Sequence, residues 1–197
     1  MKRLTDLILS TIGIIILSPL FIIIAILIKL DSNGPVFFMQ ERIGRNGKKF
    51  RICKFRSMAV VQASDSLKIT VGADRRITQT GHFLRKYKID ELPQLFNVLA
   101  GDMSIVGPRP EVEEYVNHYS QYNKNKVLSV RPGITDLASI RFRNESDILA
   151  LEANPNEAYI TKILPRKLRY YRFYVQKQSL CLDMKIIWMT IMAVVRG

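Results

Sequence analysis

The sequence predicts an α+β fold, mostly helical: a membrane-embedded N-terminal helix, a small β-hairpin, then a helical domain. Three observations carry that. Residues 7–28 contain no charge, about 33 Å of helix at 1.5 Å per residue and close to one hydrocarbon core. Two strand-like runs flank Gly44-Arg-Asn-Gly47, a hairpin turn. Beyond them, apolar residues recur at helical spacing, clearest at Leu92, Leu95, Phe96 and Leu99. The expected boundary falls at 30/31, with 1–30 as the membrane segment and 31–197 as a cytosolic domain carrying interfacial helices.

The membrane segment holds Ser18-Pro19 near its middle. Pro19 removes a backbone hydrogen bond and should bend the helix, and the Ser18 hydroxyl can satisfy part of the freed backbone. Basic residues flank both ends: Lys2 and Arg3 before, Lys29 and a cationic domain after. The positive-inside tendency then wants both ends in the cytosol. A simple span and a helix that enters and leaves by one face both remain open on these residues alone. A cleaved signal peptide is disfavoured, since no small-residue site precedes Asn33-Gly-Pro.

Asp31-Ser-Asn-Gly-Pro35 ends the segment. The strands are expected over 36–43 and 48–58. The second interleaves Lys48, Lys49, Arg51, Lys54 and Arg56 with Phe50, Ile52 and Phe55, a pattern for nucleic acid, anionic lipid, phosphate or simply a solvated face. A loop is expected over 59–72, and a short helix from Gly81 to Ile89.

The chain is organised around Lys88-Ile-Asp-Glu-Leu-Pro-Gln-Leu-Phe-Asn-Val-Leu-Ala-Gly101. Asp90 precedes the apolar stripe where an N-cap belongs, Pro93 sits in the first turn, and Gly101 stops the helix. Asp90 and Glu91 would then stand at the positive end of a helix, where an ionised carboxylate and a nearby phosphate suit metal-assisted chemistry on a phosphate ester. The plainer reading is a cap and a dipole partner. Downstream, Gly101-Asp-Met-Ser-Ile-Val-Gly-Pro-Arg-Pro110 is a short apolar segment ending in a rigid loop. There Arg109 is stiffened by prolines on both sides, a good anion clamp or an ordinary exposed turn residue. Pro110 with Glu111, Glu113 and Glu114 should open the next helix. Arg131-Pro-Gly-Ile-Thr135 repeats the arginine-beside-a-turn pattern, with Arg141 and Arg143 beyond. Residues 148–157 read as a surface helix and loop. Pro165 opens a basic, Tyr-rich tail, and 184–195, too short to span, reads as interfacial or core.

Composition supports this frame. Thirty Lys and Arg against seventeen Asp and Glu give +13 over 197 residues, pointing to a polyanionic partner. Cys53 and Cys181 suggest no disulfide, and isolated His82 and His118 argue against zinc.

Together these residues resemble the bacterial sugar transferases, the monotopic phosphoglycosyl transferases. The resemblance spans nearly the whole chain. It rests on Ser18-Pro19, Lys54-Phe-Arg-Ser-Met58, Arg76-Ile-Thr78, Asp90-Glu-Leu-Pro-Gln-Leu-Phe-Asn-Val-Leu99, the 101–110 segment and Arg131-Pro-Gly-Ile-Thr135. The chain reads as the catalytic core alone, without the additional membrane helices of larger relatives. The resemblance implies transfer of a sugar-1-phosphate from a UDP-sugar to polyprenol (undecaprenyl) phosphate, releasing UMP. That would be the first membrane step of polysaccharide or glycoconjugate assembly. It implies Asp90 as nucleophile, forming a covalent aspartyl-phosphosugar, and Glu91 as a Mg²⁺ ligand. Arg109 and Arg131 would bind the donor, with Lys54, Arg56, Arg76 and Arg85 as further substrate-binding cations. Ser18-Pro19 would break a re-entrant helix, which moves the topology reading to re-entrant. The expected setting is the bacterial inner membrane, with the catalytic domain on its cytosolic face, anionic lipids around it and no nucleic acid. A homodimer is left open. One departure is Asp136-Leu-Ala-Ser-Ile-Arg-Phe-Arg-Asn144, where the family often continues with Gly; no sugar specificity carries over. The rivals are a membrane-tethered cationic lipid- or nucleic-acid-binding protein without catalysis, and an enzyme on soluble phosphoesters.

Overall fold

The computed structural model describes residues 1–59 and 74–195, so the loop expected at 59–72 lies, Ala59 apart, outside the described residues. The chain is mostly helical with two small sheets and one long apolar N-terminal helix.

Helix α1 runs Lys2–Asp31. Pro19 cannot donate to the Ile15 carbonyl, and the Ser18 hydroxyl does so instead at 2.8 Å, so helical structure continues across the proline. One stripe of α1 faces the rest of the chain: Asp6, Ser10, Phe21, Ile24 and Ile28 are buried, while Ile8, Ile12, Ile15, Ile16, Ile22, Ile23 and Ile26 remain exposed. Both ends are tied to the same core. At the N-terminal end Lys2 pairs with Asp183 at 2.7 Å, and Arg3 donates to the Val98 and Leu99 carbonyls. The Asp6 carboxylate accepts from the Ser104 hydroxyl and the Ile105 N–H. At the C-terminal end Arg56 donates to the Ile28, Ser32 and Asn33 carbonyls, and Asp31 accepts from the Thr80 N–H.

Strands β1 (Phe37–Ile43) and β2 (Lys49–Phe55) form the expected antiparallel hairpin, register Gln40 opposite Ile52. Phe55 carries the hairpin onto α1, edge-on to Phe21 at 5.3 Å, a pair worth about 0.5–1.5 kcal/mol beyond its buried area. Helix α2 (Gln79–Lys86) is capped by Thr78, which accepts from the Gly81 N–H. Helix α3 spans Gln94–Ala100 and stops at Gly101, whose φ of 96° is the left-handed conformation expected there.

The second sheet was not legible in the sequence. Strand β3 (Ser104–Val106) pairs in parallel with β4 (Gly133–Thr135). At three residues each, neither shows a period-2 pattern. Glycine is required where they meet: a Cβ on Gly133 would lie 2.0 Å from the Gly107 nitrogen. The pairing sets the two arginine-bearing turns, at Arg109 and Arg131, side by side.

Between the strands lie α4 (Glu113–Asn117) and α5 (Gln121–Val127). The helix expected from Pro110 begins at Glu113 instead, because Glu111 is drawn inward: it accepts from Tyr159 Oη at 2.7 Å and pairs with Lys167 at 3.7 Å. Then come α6 (Leu137–Arg141), α7 (Glu145–Ala150), α8 (Pro155–Ala158), a π turn over Tyr159–Ile163, α9 (Leu164–Lys177) and α10 (Leu180–Val195). The main core packs Tyr115, Tyr119, Tyr159, Leu164, Leu168 and Tyr171 among these helices. Helix α10 buries Asp183 and Ile186 and exposes Met184, Trp188, Ile191 and Val195, which recur at helical spacing along one face.

Candidate active site

The Asp90 segment folds differently from the helix N-cap read in the sequence. Lys88 takes a left-handed conformation (φ 55°), and Ile89–Glu91 form one 3₁₀ turn. Pro93, not Asp90, holds the N-cap position of α3. The reason is the proline. It has no N–H to return to Ile89, and the neighbouring bonds close over three residues: Leu92 N–H to Ile89, Leu95 N–H to Leu92, Phe96 N–H to Pro93. Asp90 therefore caps nothing in α3.

Asp90, Gln94 and Asn97 follow one another along this right-handed stretch, and it is their polar side chains that turn inward. All three are buried. Asn97 accepts from the Cys53 N–H and donates to the Arg51 carbonyl, fastening this stretch to β2. The apolar positions turn toward α1 instead: Leu92 joins the Phe21 cluster, and Phe96 meets the Phe21 ring while staying 40% exposed. The apolar stripe thus faces α1, and the polar side chains are the buried ones.

Next to Asp90, Glu91 is clamped by two cations. Lys54 Nζ donates to it at 2.7 Å, and Arg109 bonds both carboxylate oxygens. Burial alone would raise the Glu91 pKa, but Arg109 and Lys54 outweigh it and hold the group well below the usual carboxylate range. Asp90 is the opposite case. Burial, reinforced by the Glu91 charge, pushes its carboxyl up, and its Oδ1 is buried with no hydrogen-bond partner among the described residues. Burial likewise lowers Lys54. The pKa values of two adjacent carboxyls are driven in opposite directions, Glu91 down by its cations and Asp90 up by its burial.

Arg109 is held by its loop. Gly107 N–H donates to Thr135 at 3.1 Å, and Gly133 N–H donates to Pro108 at 2.9 Å. Arg42 donates to the Pro110 carbonyl, and Ile43 N–H to Glu111. Four bonds and two prolines leave the guanidinium little freedom beyond its side-chain torsions.

The structure gathers Lys54, Asp90, Glu91 and Arg109 into one cluster, with the charges of Arg85 and Lys88 acting on Asp90. Arg131 stands nearby with another partner, donating through Nε to the Gly101 carbonyl at the end of α3. Arg56 is buried and spent on the C-terminus of α1. Arg76 pairs with Asp74 at 2.6 Å. Sequence reasoning missed Gln94, though it lies one turn beyond Asp90 in the same motif. It also missed Glu111 and Lys167, whose pairing spans more than fifty residues and leaves no local signal.

Among the described residues, no three His, Cys, Asp or Glu side chains converge to enclose a metal. Mg²⁺ needs no such cage. It takes one or two carboxylates and completes its shell with substrate phosphates and water. The pair Asp90–Glu91, with one uncommitted buried oxygen, has the donor chemistry for that kind of site.

A buried carboxylate beside two cations paired with a second carboxylate is an arrangement that suits phosphoryl groups. Comparison with known proteins points the same way. The chain matches the family model described as bacterial sugar transferase over residues 1–197. A UDP-glucose:undecaprenyl-phosphate glucose-1-phosphate transferase of Klebsiella pneumoniae is 39% identical over 193 residues, 96% of this chain and 39% of that one. A UDP-N-acetylgalactosamine-undecaprenyl-phosphate N-acetylgalactosaminephosphotransferase of Aeromonas hydrophila is 38% identical over 200 residues, 100% of this chain and 44% of its own. The exopolysaccharide production protein PSS of Rhizobium leguminosarum bv. phaseoli is 38% identical over 205 residues, 98% of this chain and 94% of its own. The chain spans well under half the length of the first two and nearly all of the third. With a match over its full length and relatives that share more than a third of its residues, the chain belongs to the bacterial sugar transferase family.

Proposed function

We propose that the protein is a phosphoglycosyl transferase that moves a sugar-1-phosphate from a UDP-sugar to undecaprenyl phosphate and releases UMP. The observation that carries this is the buried, unpartnered Asp90 Oδ1 beside the Lys54–Glu91–Arg109 cluster. Asp90 Oδ1 attacks the phosphorus that bears the sugar. The bond from that phosphorus to the bridging oxygen breaks, and UMP leaves with the bridging oxygen. The sugar-1-phosphoryl group is then an acyl phosphate on Asp90. An oxygen of the lipid phosphate attacks the same phosphorus, the Asp90 oxygen leaves as carboxylate, and polyprenyl diphosphate sugar forms.

Lys54 and Arg109 serve this reaction as cations held in place by Glu91 until donor phosphates compete for them. Charge neutralisation is what phosphoryl transfer between anions needs most. Glu91 would hold Mg²⁺ together with the donor's phosphates, and the ion would supply further neutralisation there. The burial that raises the Asp90 pKa also makes its ionised form a poorly solvated, reactive base.

Helix α1 is the membrane anchor in this reading, entering and leaving the cytosolic face of the inner membrane. Support comes from its two ends, each bonded to the same folded core. A helix crossing the bilayer would separate them. The exposed isoleucine face of α1 and the Trp188 face of α10 are the surfaces to meet lipid.

The test is UMP release by the protein in nanodiscs with Mg²⁺ across a set of UDP-sugars, with and without undecaprenyl phosphate. One donor should give steady turnover only with the lipid phosphate. No UMP from any donor would refute the reading, as would turnover indifferent to the lipid.

A further inference from the structure

We infer that Gln94 is a catalytic residue: its side-chain amide donates a hydrogen bond to a non-bridging oxygen of the phosphoryl group under transfer. The inference rests on the phosphoryl-transfer reading above and adds a residue to it.

Gln94 is 1% exposed, and its Nε2 is buried with no partner among the described residues. Asp90 is 8% exposed, and its Oδ1 is in the same state. The two residues lie four apart, about one turn, along the same right-handed stretch. Buried polar atoms are almost always bonded, so an orphaned donor and an orphaned acceptor on neighbouring turns call for a reason. Asn97, next along this stretch, supplies the contrast. Its amide is engaged at both ends, as acceptor from Cys53 N–H and donor to the Arg51 carbonyl. Asn97 builds the fold, whereas Gln94 keeps a donor that the fold does not use.

A single group that meets both atoms must bond the Asp90 oxygen and accept from the Gln94 N–H. A cation can meet the Asp90 oxygen but cannot accept from an amide N–H. A pure donor can likewise meet the Asp90 oxygen but not the amide. A phosphoryl group meets both: its phosphorus bonds Asp90 Oδ1, and one of its oxygens accepts from Gln94 Nε2. A neutral donor also suits the charge balance, since Lys54 and Arg109 are already matched to Glu91. An extra cation would instead compete for Glu91. As charge shifts onto the non-bridging oxygens, a pre-placed dipole in a dry site stabilises it without reorganising.

The experiment uses Gln94→Met, close in volume and without a donor, with Gln94→Ala as a second variant, both full-length in nanodiscs. The rate of phosphosugar adduct formation is followed by rapid quench and mass spectrometry, alongside donor affinity and thermal midpoint. The expected result is adduct formation slower by about 10²-fold to 10³-fold, the usual cost of one oxyanion donor, with donor affinity and midpoint unchanged. An unchanged rate in folded protein overturns the inference. So does a loss explained wholly by donor affinity, or failure of both variants to fold, since either makes the amide a binding or structural element. If the parent enzyme forms no adduct but releases UMP only when the lipid phosphate is bound, the covalent route fails on its own terms. Gln94 is then judged by the UMP rate at saturating substrates, where the same loss supports it and parity overturns it.

Discussion

Replacing Glu91 with Gln keeps the shape of the site and removes the charge that holds two cations. Three hydrogen bonds are at stake: one from Lys54 at 2.7 Å and two from Arg109. A bond to a charged group is worth about 1.5–3 kcal/mol, and Gln still accepts one neutral bond through its amide oxygen. Breaking a fully buried ion pair costs about 3–5 kcal/mol, because a charge is left without its partner. Here the Lys54 and Arg109 side chains are 17% and 28% exposed, so water reaches them in part. That places the loss near the low end, about 3 kcal/mol, or roughly 6–12 °C in thermal midpoint for a chain of this length. The assay is thermal unfolding of parent and Glu91→Gln in nanodiscs across pH. The sign follows from Glu91's lowered pKa in the folded state. Its contribution is complete above the unfolded value of 4.5 and is lost as pH falls through the lower folded value. The gap between parent and variant should therefore be full at neutral pH and close in strong acid. Equal midpoints at pH 7 would refute the clamp.

Three further outcomes follow from the same geometry. Asp90→Asn should abolish turnover yet raise stability near neutral pH by on the order of 1 kcal/mol, the usual yield of relieving a strained site. Since burial raises the Asp90 pKa, the parent loses stability as pH rises above 3.8 through the folded value, so the variant's advantage should vanish in acid; a variant no more stable at pH 7 contradicts this. Asp6→Ala should cost about 1–3 kcal/mol by leaving the Ile105 N–H without its acceptor while the Ser104 hydroxyl keeps the Val106 carbonyl, with the protein still in the membrane fraction; unchanged unfolding would show the strut to be idle. Cysteines introduced at Lys2 and Asn33 should share one labelling pattern in intact cells, and opposite accessibility would establish a crossing helix.

Much of the fold was written in local patterns. The hairpin followed from Gly44-Arg-Asn-Gly47 between apolar runs, the end of α3 from Gly101, and the role of Ser18 from the neighbouring proline. What was hidden depends on contacts distant in sequence. Asp6 reads as the polar flank of a membrane helix, yet it is buried against Ser104, ninety-eight residues away. The β3–β4 pair is too short to announce itself, though it fixes where Arg109 and Arg131 stand. Arg56 and Arg109 look alike as arginines beside bulky residues. One ends on the carbonyls of α1 and the other on Glu91, and only the fold separates them. The Asp90-Glu91 pair was visible as chemistry but not as geometry. Pro93 could be placed in a first turn without revealing that the α-helix begins one residue after it.

The central claim is that Asp90 becomes covalently phosphorylated by the sugar donor. Intact-protein mass spectrometry, with peptide mapping, of enzyme given a productive UDP-sugar and Mg²⁺ but no lipid phosphate tests it most directly. The account predicts a sugar-phosphate adduct on the peptide containing Asp90, formed with one equivalent of UMP, discharged by undecaprenyl phosphate and absent in Asp90→Asn. An unmodified Asp90 peptide, with UMP appearing only once both substrates are bound, would contradict it.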